Sequence, residues 1–208
     1  MYPCLESIAK KSPWNKGRLS GQKRPLRLQE IWAIRIRLEL SGKSQELALF
    51  NLAIDSKLRA CDLMKLTLAD VTQGGRVMSR ARVIQQKTQQ PVQFEITPQT
   101  RRSLEDWIVE SRLSGSEYLF KSRNRRSSHL STRQYARIVK RWVCSIGLDP
   151  SLYGTHSMRR TKAALIYRRT KNLRAIQLLL WHTKLESTVR YLGIDVDDAL
   201  ELAEQTEV

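Results

Sequence analysis

The sequence is poor in cysteine and contains no long apolar run. Its three cysteines, Cys4, Cys61 and Cys144, are odd in number and widely spaced, and they form no CxxC pair. That pattern disfavours a disulfide framework or a zinc site and is typical of a reducing cytoplasm. No segment approaches the roughly 18 consecutive apolar residues of a membrane span, and no signal-peptide pattern opens the chain. We therefore expect a cytoplasmic protein that does not act on a membrane.

Acidic residues are also scarce. Among 208 residues there are 20 Asp and Glu against 37 Lys and Arg, which leaves a formal net charge of +17. An excess of this size indicates a polyanionic partner, nucleic acid first. Because the basic residues are interleaved with an apolar helical pattern, nucleic-acid binding is favoured over a merely solvated basic surface. The C-terminal segment 195–208 is the exception, since it has no Lys or Arg and contains six acids, Asp195, Asp197, Asp198, Glu201, Glu204 and Glu207.

Residues 1–27 are strongly basic, with a single acid, Glu6, and three prolines. Such a composition predicts an extended basic arm rather than a packed domain. We expect the arm to lie along DNA phosphates, which adds affinity without much reading of sequence. A second basic stretch, KSRNRRSSHLS, is predicted to be a loop. The candidate DNA contacts in the arm, in this loop and on one helix are Lys10, Lys11, Lys16, Arg18, Lys23, Arg24, Arg123, Arg125, Arg126 and Arg160.

Hydrophobic spacing predicts a mainly α-helical, α+β domain over residues 28–194. Apolar residues recur at helical intervals, but the interval changes to two in the runs 76–86 and 92–97, which flank a polar turn. We predict a hairpin there, within a small three-stranded antiparallel sheet, with Pro91 at the start of the second strand. The predicted helices are 28–40, 43–54, 59–67, 98–111, 131–146, 156–169, 173–180, 185–191 and 196–204.

The stretch YGTHSMRRTKAALIY places a histidine and an arginine at the start of a helix. With Thr155 as the N-cap, His156 and Arg159 lie three residues apart on one face. The partial positive charge of the helix N-terminus and a guanidinium then point at the same place, which suits a phosphate. His-x-x-Arg is a weak motif when it stands alone, and a solvated basic helix is then the simpler interpretation.

Further positions carry candidate chemistry. In DSKLRACDLMKL, Arg59 opens a helix with an apolar base, and Asp62 is placed to orient it by a charge-assisted hydrogen bond, unless the two form an ordinary surface pair. Lys87 occupies the hairpin turn, where a lysine is normally solvated but can also present a mobile proton donor to a phosphate ester. Near the end of the chain, His182 precedes Tyr191 by nine residues. A helical tyrosine by itself is most often filler of the core or the surface.

Taken together, the order Arg, Lys, His-x-x-Arg, His, Tyr resembles the tyrosine recombinase (phage integrase) family from about residue 28 to the C-terminus. LRACDL matches the family's first arginine box, QQKTQQPV its lysine hairpin, THSMRRTKAALIY its His-x-x-Arg box and LLLWHTKLESTVRYLG its His-to-Tyr box. One departure is present, because Trp181 occupies the position before the second histidine where the family usually has glycine. The resemblance implies the catalytic-domain fold of this family.

The resemblance also implies a role for each matched residue. Arg59 and Arg159 would clamp the non-bridging oxygens of a scissile phosphodiester, and Tyr191 would attack its phosphorus to form a covalent phosphotyrosine. His156 is the expected base or orienting group for that tyrosine, and His182 is the expected hydrogen-bond donor to the phosphate. The implied catalytic set, which needs no metal or other cofactor, is Arg59, Lys87, His156, Arg159, His182 and Tyr191, with Asp62 in support.

Lys87 is the residue expected to protonate the departing 5′ oxygen. Of the remaining tyrosines, Tyr118 and Tyr167 are expected to be packing residues. The resemblance implies a site-specific recombinase of the bacterial cytoplasm that cuts and rejoins DNA for integration, excision, inversion or resolution. We expect the protein to act without the N-terminal clamp domain that is general in the family, as the short invertases that switch fimbrial expression do.

The same resemblance implies double-stranded DNA and further copies of this chain as partners. We expect a tetramer on DNA, a monomer free in solution, and accessory DNA-bending proteins. Residues 195–208 are expected to form an acidic helical tail that docks on a neighbouring protomer, or alternatively folds back on its own domain. Two other functions stay open: a DNA-binding regulator of recombinase descent without strand transfer, and a DNA-relaxing enzyme like the type IB topoisomerases.

Overall fold

The computed structural model describes residues 22–122 and 127–193 of the chain. The predicted arm up to residue 21, the loop arginines Arg123, Arg125 and Arg126, and the tail from residue 194 lie outside the described residues. No described helix combines the length and the apolar character that a bilayer crossing requires. The described elements follow one another in the order α1 (Leu28–Leu40), α2 (Ser44–Ser56), α3 (Ala60–Met64), α4 (Leu68–Val71), β1 (Thr72–Gln73), β2 (Arg76–Val77), β3 (Arg80–Ile84), β4 (Pro91–Glu95), α5 (Pro98–Ser111), α6 (Thr132–Ser145), α7 (Thr155–Thr170), α8 (Leu173–Leu180) and α9 (Leu185–Leu192).

Helix α2 is the centre of the core. Its residues from Ala48 to Ser56 are all buried, and it packs against α1, α5, α7 and β4. A helix buried on most sides needs apolar residues around most of its circumference, and the stretch ALFNLAI supplies them. The helix ends at Lys57, whose φ of 54° lies in the left-handed region. That turn redirects the chain at once into Arg59.

Helices α1 and α6 cover the core from outside. In α1, Ile31, Ile34 and Leu38 are buried at the spacing of a helical stripe. Helix α6 begins after Ser131, whose hydroxyl accepts a hydrogen bond from Gln134 N at 3.1 Å, while Gln134 Oε1 accepts one from Ser131 N at 2.8 Å. This reciprocal capping box satisfies two backbone donors at the helix start. The helix then packs on α1, α3 and α7.

The predicted hairpin is confirmed, but the predicted three-stranded sheet is wrong. Strand β3 pairs with β4 in antiparallel register, with Ala81 opposite Phe94, whereas β1 pairs with β2 alone. The second ladder is short because Gly74 and Gly75, both at positive φ, turn the chain back after two residues. Residues 78 and 79 belong to no strand, so they interrupt the path from β2 to β3. The predicted mainly helical α+β class is confirmed.

Two predictions about helix ends are wrong. The helix predicted for 59–67 is shorter, since α3 ends at Met64. Thr67 is instead the N-cap of the separate helix α4, and its hydroxyl accepts a hydrogen bond from Asp70 N at 3.3 Å. The predicted cap Thr155 is the first residue of α7, and Gly154 holds the N-cap position. Since glycine has no side chain, the bond at this end comes from within the helix, where Ser157 Oγ accepts from Gly154 N at 3.1 Å.

The packed domain begins before residue 28, where the sequence predicted the end of the arm. Leu26 is 1% exposed and belongs to the core, and its backbone N–H donates to Thr161 Oγ1 of α7 at 3.0 Å. The backbone N–H of Arg24 donates to the Leu152 carbonyl at 2.9 Å. An extended arm would form neither bond, so residues 22–27 are part of the domain.

An ionic cluster, buried at Lys57 and Asp55 and partly exposed at Lys162 and Glu95, joins α2, β4 and α7. Lys57 is 0% exposed, and its Nζ donates to Glu95 Oε1 at 2.7 Å. Lys162 Nζ donates to Asp55 Oδ1 at 2.6 Å and lies 2.8 Å from Glu95 Oε1. Two cations therefore meet two anions, which offsets part of the cost of removing these charges from water. The cluster ties together three segments that lead to the candidate catalytic residues.

Replacing Asp55 with asparagine is expected to lower the free energy of unfolding by about 3 kcal/mol, because it leaves Lys162 without its closest anion. Burial tends to raise the pKa of Asp55, but the charge of Lys162 and hydrogen bonds hold it below 3.8. The Asp55 carboxylate therefore stabilises the fold above about pH 4, and this contribution is lost as the pH falls through the folded pKa.

Urea unfolding at pH 7 and pH 3 measures the difference, with Asp106→Asn as the control, since Asp106 is exposed on α5. The cost of Asp55→Asn is expected to shrink at the lower pH. An Asp55→Asn cost no larger than that of the control at pH 7 would contradict the assignment.

Candidate active site

Five of the six predicted catalytic residues converge where α7, α8 and α9 pack together. Arg59 is the N-cap of α3, and His156 and Arg159 lie in the first turns of α7. His182 follows the end of α8, and Tyr191 is near the end of α9. The three C-terminal helices contact one another, so residues far apart in sequence come within reach of one phosphate group.

Tyr191 lies between two guanidinium groups and an imidazole. The ζ carbons of Arg159 and Arg160 are 5.9 and 5.4 Å from the centroid of its ring. The His182 ring meets it edge-on, with centroids 5.3 Å apart and planes at 81°. Cations placed over a ring face are attracted by its electron density. The ring is therefore held on several sides by the residues predicted to handle a phosphate, and by Arg160 in addition.

The Tyr191 hydroxyl is buried and has no hydrogen-bond partner among the described residues. Burial raises its pKa to about 12, although the charges of Arg159, Arg160 and Arg59 act in the opposite direction. The group is therefore a neutral phenol near pH 7. It must lose its proton as it attacks, which requires a base nearby or a local positive charge.

A hydrogen bond to the backbone fixes the orientation of the Arg159 guanidinium. Its side chain is 6% exposed, and Nη2 donates to the Leu180 carbonyl at 2.8 Å. Arg59 is partly buried, and its Nη1 donates to Gln85 Oε1 at the end of the hairpin. Each guanidinium uses one nitrogen for its anchor, and the planar fork leaves other N–H groups for a phosphate oxygen.

The predicted hydrogen bond between Asp62 and Arg59 is not formed between these described residues. Asp62 Oδ1 instead accepts from Gln86 N at 3.0 Å. The reason is that Arg59 is at the extended N-cap, whereas Asp62 is within α3 and faces the hairpin backbone. Gln85, which the sequence analysis missed, takes the place of Asp62 as the partner of Arg59. Its only sequence signal is its position next to the polar turn.

Both histidines of the site carry little positive charge near pH 7. Burial, with the charges of Arg159 and Arg59, lowers the pKa of His182 to about 4. Burial and the charges of Arg159 and Arg160 also lower the pKa of His156. A neutral imidazole can accept a proton, and it can donate a hydrogen bond from its protonated nitrogen. His156 is therefore in the protonation state that a base requires.

Thr188 is a further residue of the site that the sequence analysis missed. It is 0% exposed, and its Oγ1 lies 3.1 Å from His182 Nδ1. When this hydroxyl donates to Nδ1, the imidazole proton stays on Nε2, which is then able to donate to a phosphate. Thr188 precedes Tyr191 by three residues on α9, so helical spacing is the signal that places both on one face.

Trp181 occupies the position at which glycine was expected from the family resemblance, and the backbone conformation at this position explains why glycine is preferred there. It caps α8 at a φ of 54°, in the left-handed region, which costs a residue with a Cβ atom roughly 1–2 kcal/mol. The indole is partly buried against the main core, which offsets some of this cost. His182 N still donates to the Gln177 carbonyl at 3.0 Å, so the helix end keeps its shape.

A basic cavity of about 740 Å³ opens beside Tyr191. His156, His182 and Tyr191 line it together with basic side chains that include Lys184 and Arg190. Of the other predicted catalytic residues, Arg59 and Arg159 do not line this cavity, and neither does Lys87, which is exposed in the hairpin turn. Its predicted role as proton donor therefore requires the hairpin to approach the cavity. Within residues 22–122 and 127–193, no cluster of His, Cys, Asp and Glu suited to a metal ion is found.

The predicted DNA contacts are placed in different environments. Lys23 and Arg24 are exposed near the cavity, whereas Arg160 is 7% exposed and donates from Nη1 to the Lys23 carbonyl at 2.7 Å. The remaining predicted contacts lie outside the described residues. Tyr118 and Tyr167 are packing residues, as predicted: Tyr167 is buried in a small cluster with α8, and Tyr118 is partly buried against His129.

A tyrosine held beside two arginines and a neutral histidine, in a cavity that a second histidine also lines, is suited to phosphoryl transfer with a phenol nucleophile. The model of the phage integrase family matches residues 26–197, so the chain belongs to this family. The resemblance inferred from the ordered motifs is thereby confirmed.

Proteins of similar sequence are named as integrases or recombinases. The probable integrase/recombinase YoeC of Bacillus subtilis (strain 168) is 29% identical over 158 residues, which cover 76% of this chain and 82% of the relative. The tyrosine recombinase XerC of Neisseria gonorrhoeae (strain ATCC 700825 / FA 1090) is 28% identical over 160 residues, or 76% of this chain. This chain spans 50% of that XerC.

Solved structures show the same fold. The crystal structure of XerA recombinase superposes with a TM-score of 0.71 at 19% identity, covering 89% of this chain and 64% of that one. XerH site-specific recombinase in a pre-cleavage complex with its difH substrate gives 0.67 at 19% identity, covering 89% of this chain and 55% of that one. The fold is therefore shared with these recombinases.

Proposed function

We propose that this protein is a site-specific DNA recombinase that cuts and rejoins strands through a 3′-phosphotyrosine intermediate. The observation that carries the proposal is the position of Tyr191, with its ring between the guanidinium groups of Arg159 and Arg160 and against His182. Membership of the phage integrase family supports the same reaction.

In the first step, one phosphorus–oxygen bond forms and another breaks. The Tyr191 oxygen attacks the scissile phosphorus, the bond from phosphorus to the 5′ oxygen breaks, and the protein becomes linked to the 3′ phosphate. Arg59 and Arg159 bind the non-bridging oxygens and stabilise the charge that grows on them in the transition state. The energy of the broken bond is kept in the phosphotyrosine. Attack by the 5′ hydroxyl of another strand then releases the tyrosine and joins the new pair.

Two proton transfers accompany that step. The phenol proton passes to His156, which is neutral because its pKa is lowered. The departing 5′ oxygen receives a proton from Lys87, once the hairpin has approached the DNA. His182 donates a hydrogen bond to the phosphate from the nitrogen opposite Thr188. In the joining step the same groups act in reverse.

Double-stranded DNA is the proposed partner, with further copies of this chain bound to it as a tetramer. The net charge of +17 favours DNA binding. Solved neighbours of the same fold include the Tn1549 transposon integrase in complex with transposon right end DNA and a lambda integrase dimer bound to a COC′ core site. We further propose that residues 195–208 dock on a neighbouring protomer, that DNA-bending proteins assist, and that the protein acts in the bacterial cytoplasm.

Trapping the covalent intermediate tests the proposal. The purified protein is incubated with nicked duplexes of randomised sequence, in which the released fragment diffuses away and leaves the protein attached. The expected product resists detergent, carries the DNA 3′ phosphate on Tyr191 by peptide mapping, and leaves a free 5′ hydroxyl. DNA binding without this product would instead indicate the regulator. Relaxation without joining of two selected sites would indicate a relaxing enzyme.

The basic arm is expected to contribute to affinity through phosphate contacts. Deleting residues 1–21 removes Lys10, Lys11, Lys16 and Arg18 but keeps Leu26 in the core. Each neutralised phosphate contributes about 0.9 to the slope of log affinity against log salt, so the slope should fall by about 3–4. Filter binding over a salt series measures it. The control has the same arm length with these four residues changed to glutamine, and it should match the deletion; an unchanged slope in both would exclude phosphate contacts.

A further inference from the structure

Residues 22–26, called here the N-terminal strap, run across the edge of the active site. The strap is fixed at one end by Leu26, which is buried in the core, and in the middle by the bond from Arg24 N to the Leu152 carbonyl. At the other end, Gln22 Nε2 donates to the backbone carbonyl of Arg190. The strap therefore reaches from the core to the residue immediately before the nucleophile.

Arg160 connects the same strap to the nucleophile's ring. Its Nη1 donates to the Lys23 carbonyl at 2.7 Å, and its ζ carbon lies 5.4 Å from the Tyr191 ring centroid. The side chain is 7% exposed, and its Nε has no hydrogen-bond partner among the described residues. Arg160 is as buried as Arg159 and lines the cavity, so what distinguishes it is its bond to the strap together with its contact with the tyrosine ring. Its position suits a contact with the tyrosine.

We infer that Arg160 is a positioning residue for Tyr191, and that the N-terminal strap holds both of them through Lys23 and Gln22. The inference rests on the proposed function, since it concerns the nucleophile of that reaction. Arg160 fixes the face of the ring, while Gln22 fixes the backbone of the preceding residue. Two adjacent strap residues thus determine where the phenol oxygen lies relative to the phosphate.

Positioning of this kind has a large effect on rate, because a displacement of about 1 Å in a reacting group can cost about 10²-fold. Arg160 also has an electrostatic effect on the phenol. The other charged or titratable groups around Tyr191 are Arg159 and His156 on α7, Arg59 at the start of α3 and His182 after α8. Three charged residues of α9 and the turn before it, Lys184, Glu186 and Arg190, line the same cavity. Removing the Arg160 charge leaves the phenol harder to ionise, so the pH dependence of cleavage should move to higher pH.

Four variants separate positioning from DNA contact. Arg160→Gln removes the charge and the planar donor, and Arg160→Lys keeps the charge but loses the fork. Gln22→Ala removes the exposed bond to α9, with little risk to the fold. Arg168→Gln is the matched control, since Arg168 is an exposed arginine of the same helix.

Single-turnover cleavage of a nicked duplex, from pH 6 to pH 9, is the first measurement. Arg160→Gln is expected to cleave about 10- to 100-fold more slowly than Arg168→Gln, with its pH curve displaced upward and its DNA affinity unchanged. Arg160→Lys and Gln22→Ala should be slowed less, and Gln22→Ala without a displacement of the pH curve. Cleavage equal to the control would overturn the inference. A loss explained by weaker DNA binding, with a smaller salt slope, would assign Arg160 to a phosphate instead.

A second measurement needs neither DNA nor catalysis. The protein is labelled with 3-fluorotyrosine, and the ¹⁹F resonance of Tyr191 is assigned from its absence in Tyr191→Phe. Arg160→Gln and Gln22→Ala are expected to shift or broaden this resonance, whereas Arg168→Gln is not. If the wild type forms no covalent adduct, the proposed function fails, but the resonance still tests whether the strap holds the tyrosine. A Tyr191 resonance that is unchanged in both Arg160→Gln and Gln22→Ala would reject the inference.

Discussion

Replacing Tyr191 with phenylalanine is expected to abolish the covalent protein–DNA adduct and to leave DNA affinity within a few-fold of the wild type. The change removes the attacking oxygen and keeps the ring that contacts Arg159, Arg160 and His182. No hydrogen bond to another described residue is lost, because the hydroxyl has no such partner. A buried hydroxyl without a partner costs about 1–3 kcal/mol, so the variant should be at least as stable as the wild type.

Adduct formation on nicked duplexes and thermal unfolding measure these two effects. Tyr118→Phe is the matched control, because Tyr118 is also partly buried but packs against His129. The control should form adducts at the wild-type rate. Adducts that persist in Tyr191→Phe would place the nucleophile at another tyrosine, and a large loss of DNA affinity would show that the phenol oxygen is needed for binding.

Replacing Arg159 with lysine is expected to slow cleavage by about 10²–10³-fold at saturating DNA. The guanidinium donates from Nη2 to the Leu180 carbonyl and still presents other N–H groups to a phosphate. A lysine ammonium is a point charge on a flexible stem, so it keeps the charge but loses the planar fork. Because Arg159 is 6% exposed, its contribution is made in a site with little water, where such bonds are strongest.

The measurement is single-turnover cleavage at saturating DNA, which separates chemistry from binding. Arg168→Lys on the exposed side of α7 is the control and should cleave like the wild type. A rate for Arg159→Lys within about tenfold of the control would mean that charge alone suffices, and that the bond to Leu180 has no part in presenting the guanidinium.

Most of the helices could be predicted from the sequence, because the signals for them are local. Ile31, Ile34 and Leu38 are spaced to cover one face, and that face is buried. The hairpin was also predicted correctly, since the alternation of β3 and β4 and the polar turn lie close together in the chain. The three-stranded sheet was wrong because the joining of two ladders depends on the path between them, which periodicity does not describe.

The candidate catalytic residues could be listed from the sequence, but their hydrogen-bond partners could not. The ordered motifs gave Arg59, Arg159 and Tyr191, which the structure brings to one site. The partner of Arg59 was predicted to be Asp62, three residues away, and is Gln85, which is 26 residues away on the hairpin. Hydrogen bonds of this range are decided by how segments pack, and no local pattern encodes them.

By itself, the sequence determined the mainly helical class, the faces of the helices that are buried, and the order of motifs that identifies the family. These follow from periodicity, which each segment carries within its own residues. Only the tertiary structure decided which charges are buried and what they bind: Lys57 with Glu95, and Arg160 between Lys23 and Tyr191. The sequence does not show whether a charged side chain will be buried. Its role depends on how far it is desolvated and on which partners it contacts, and both are set when distant segments pack together.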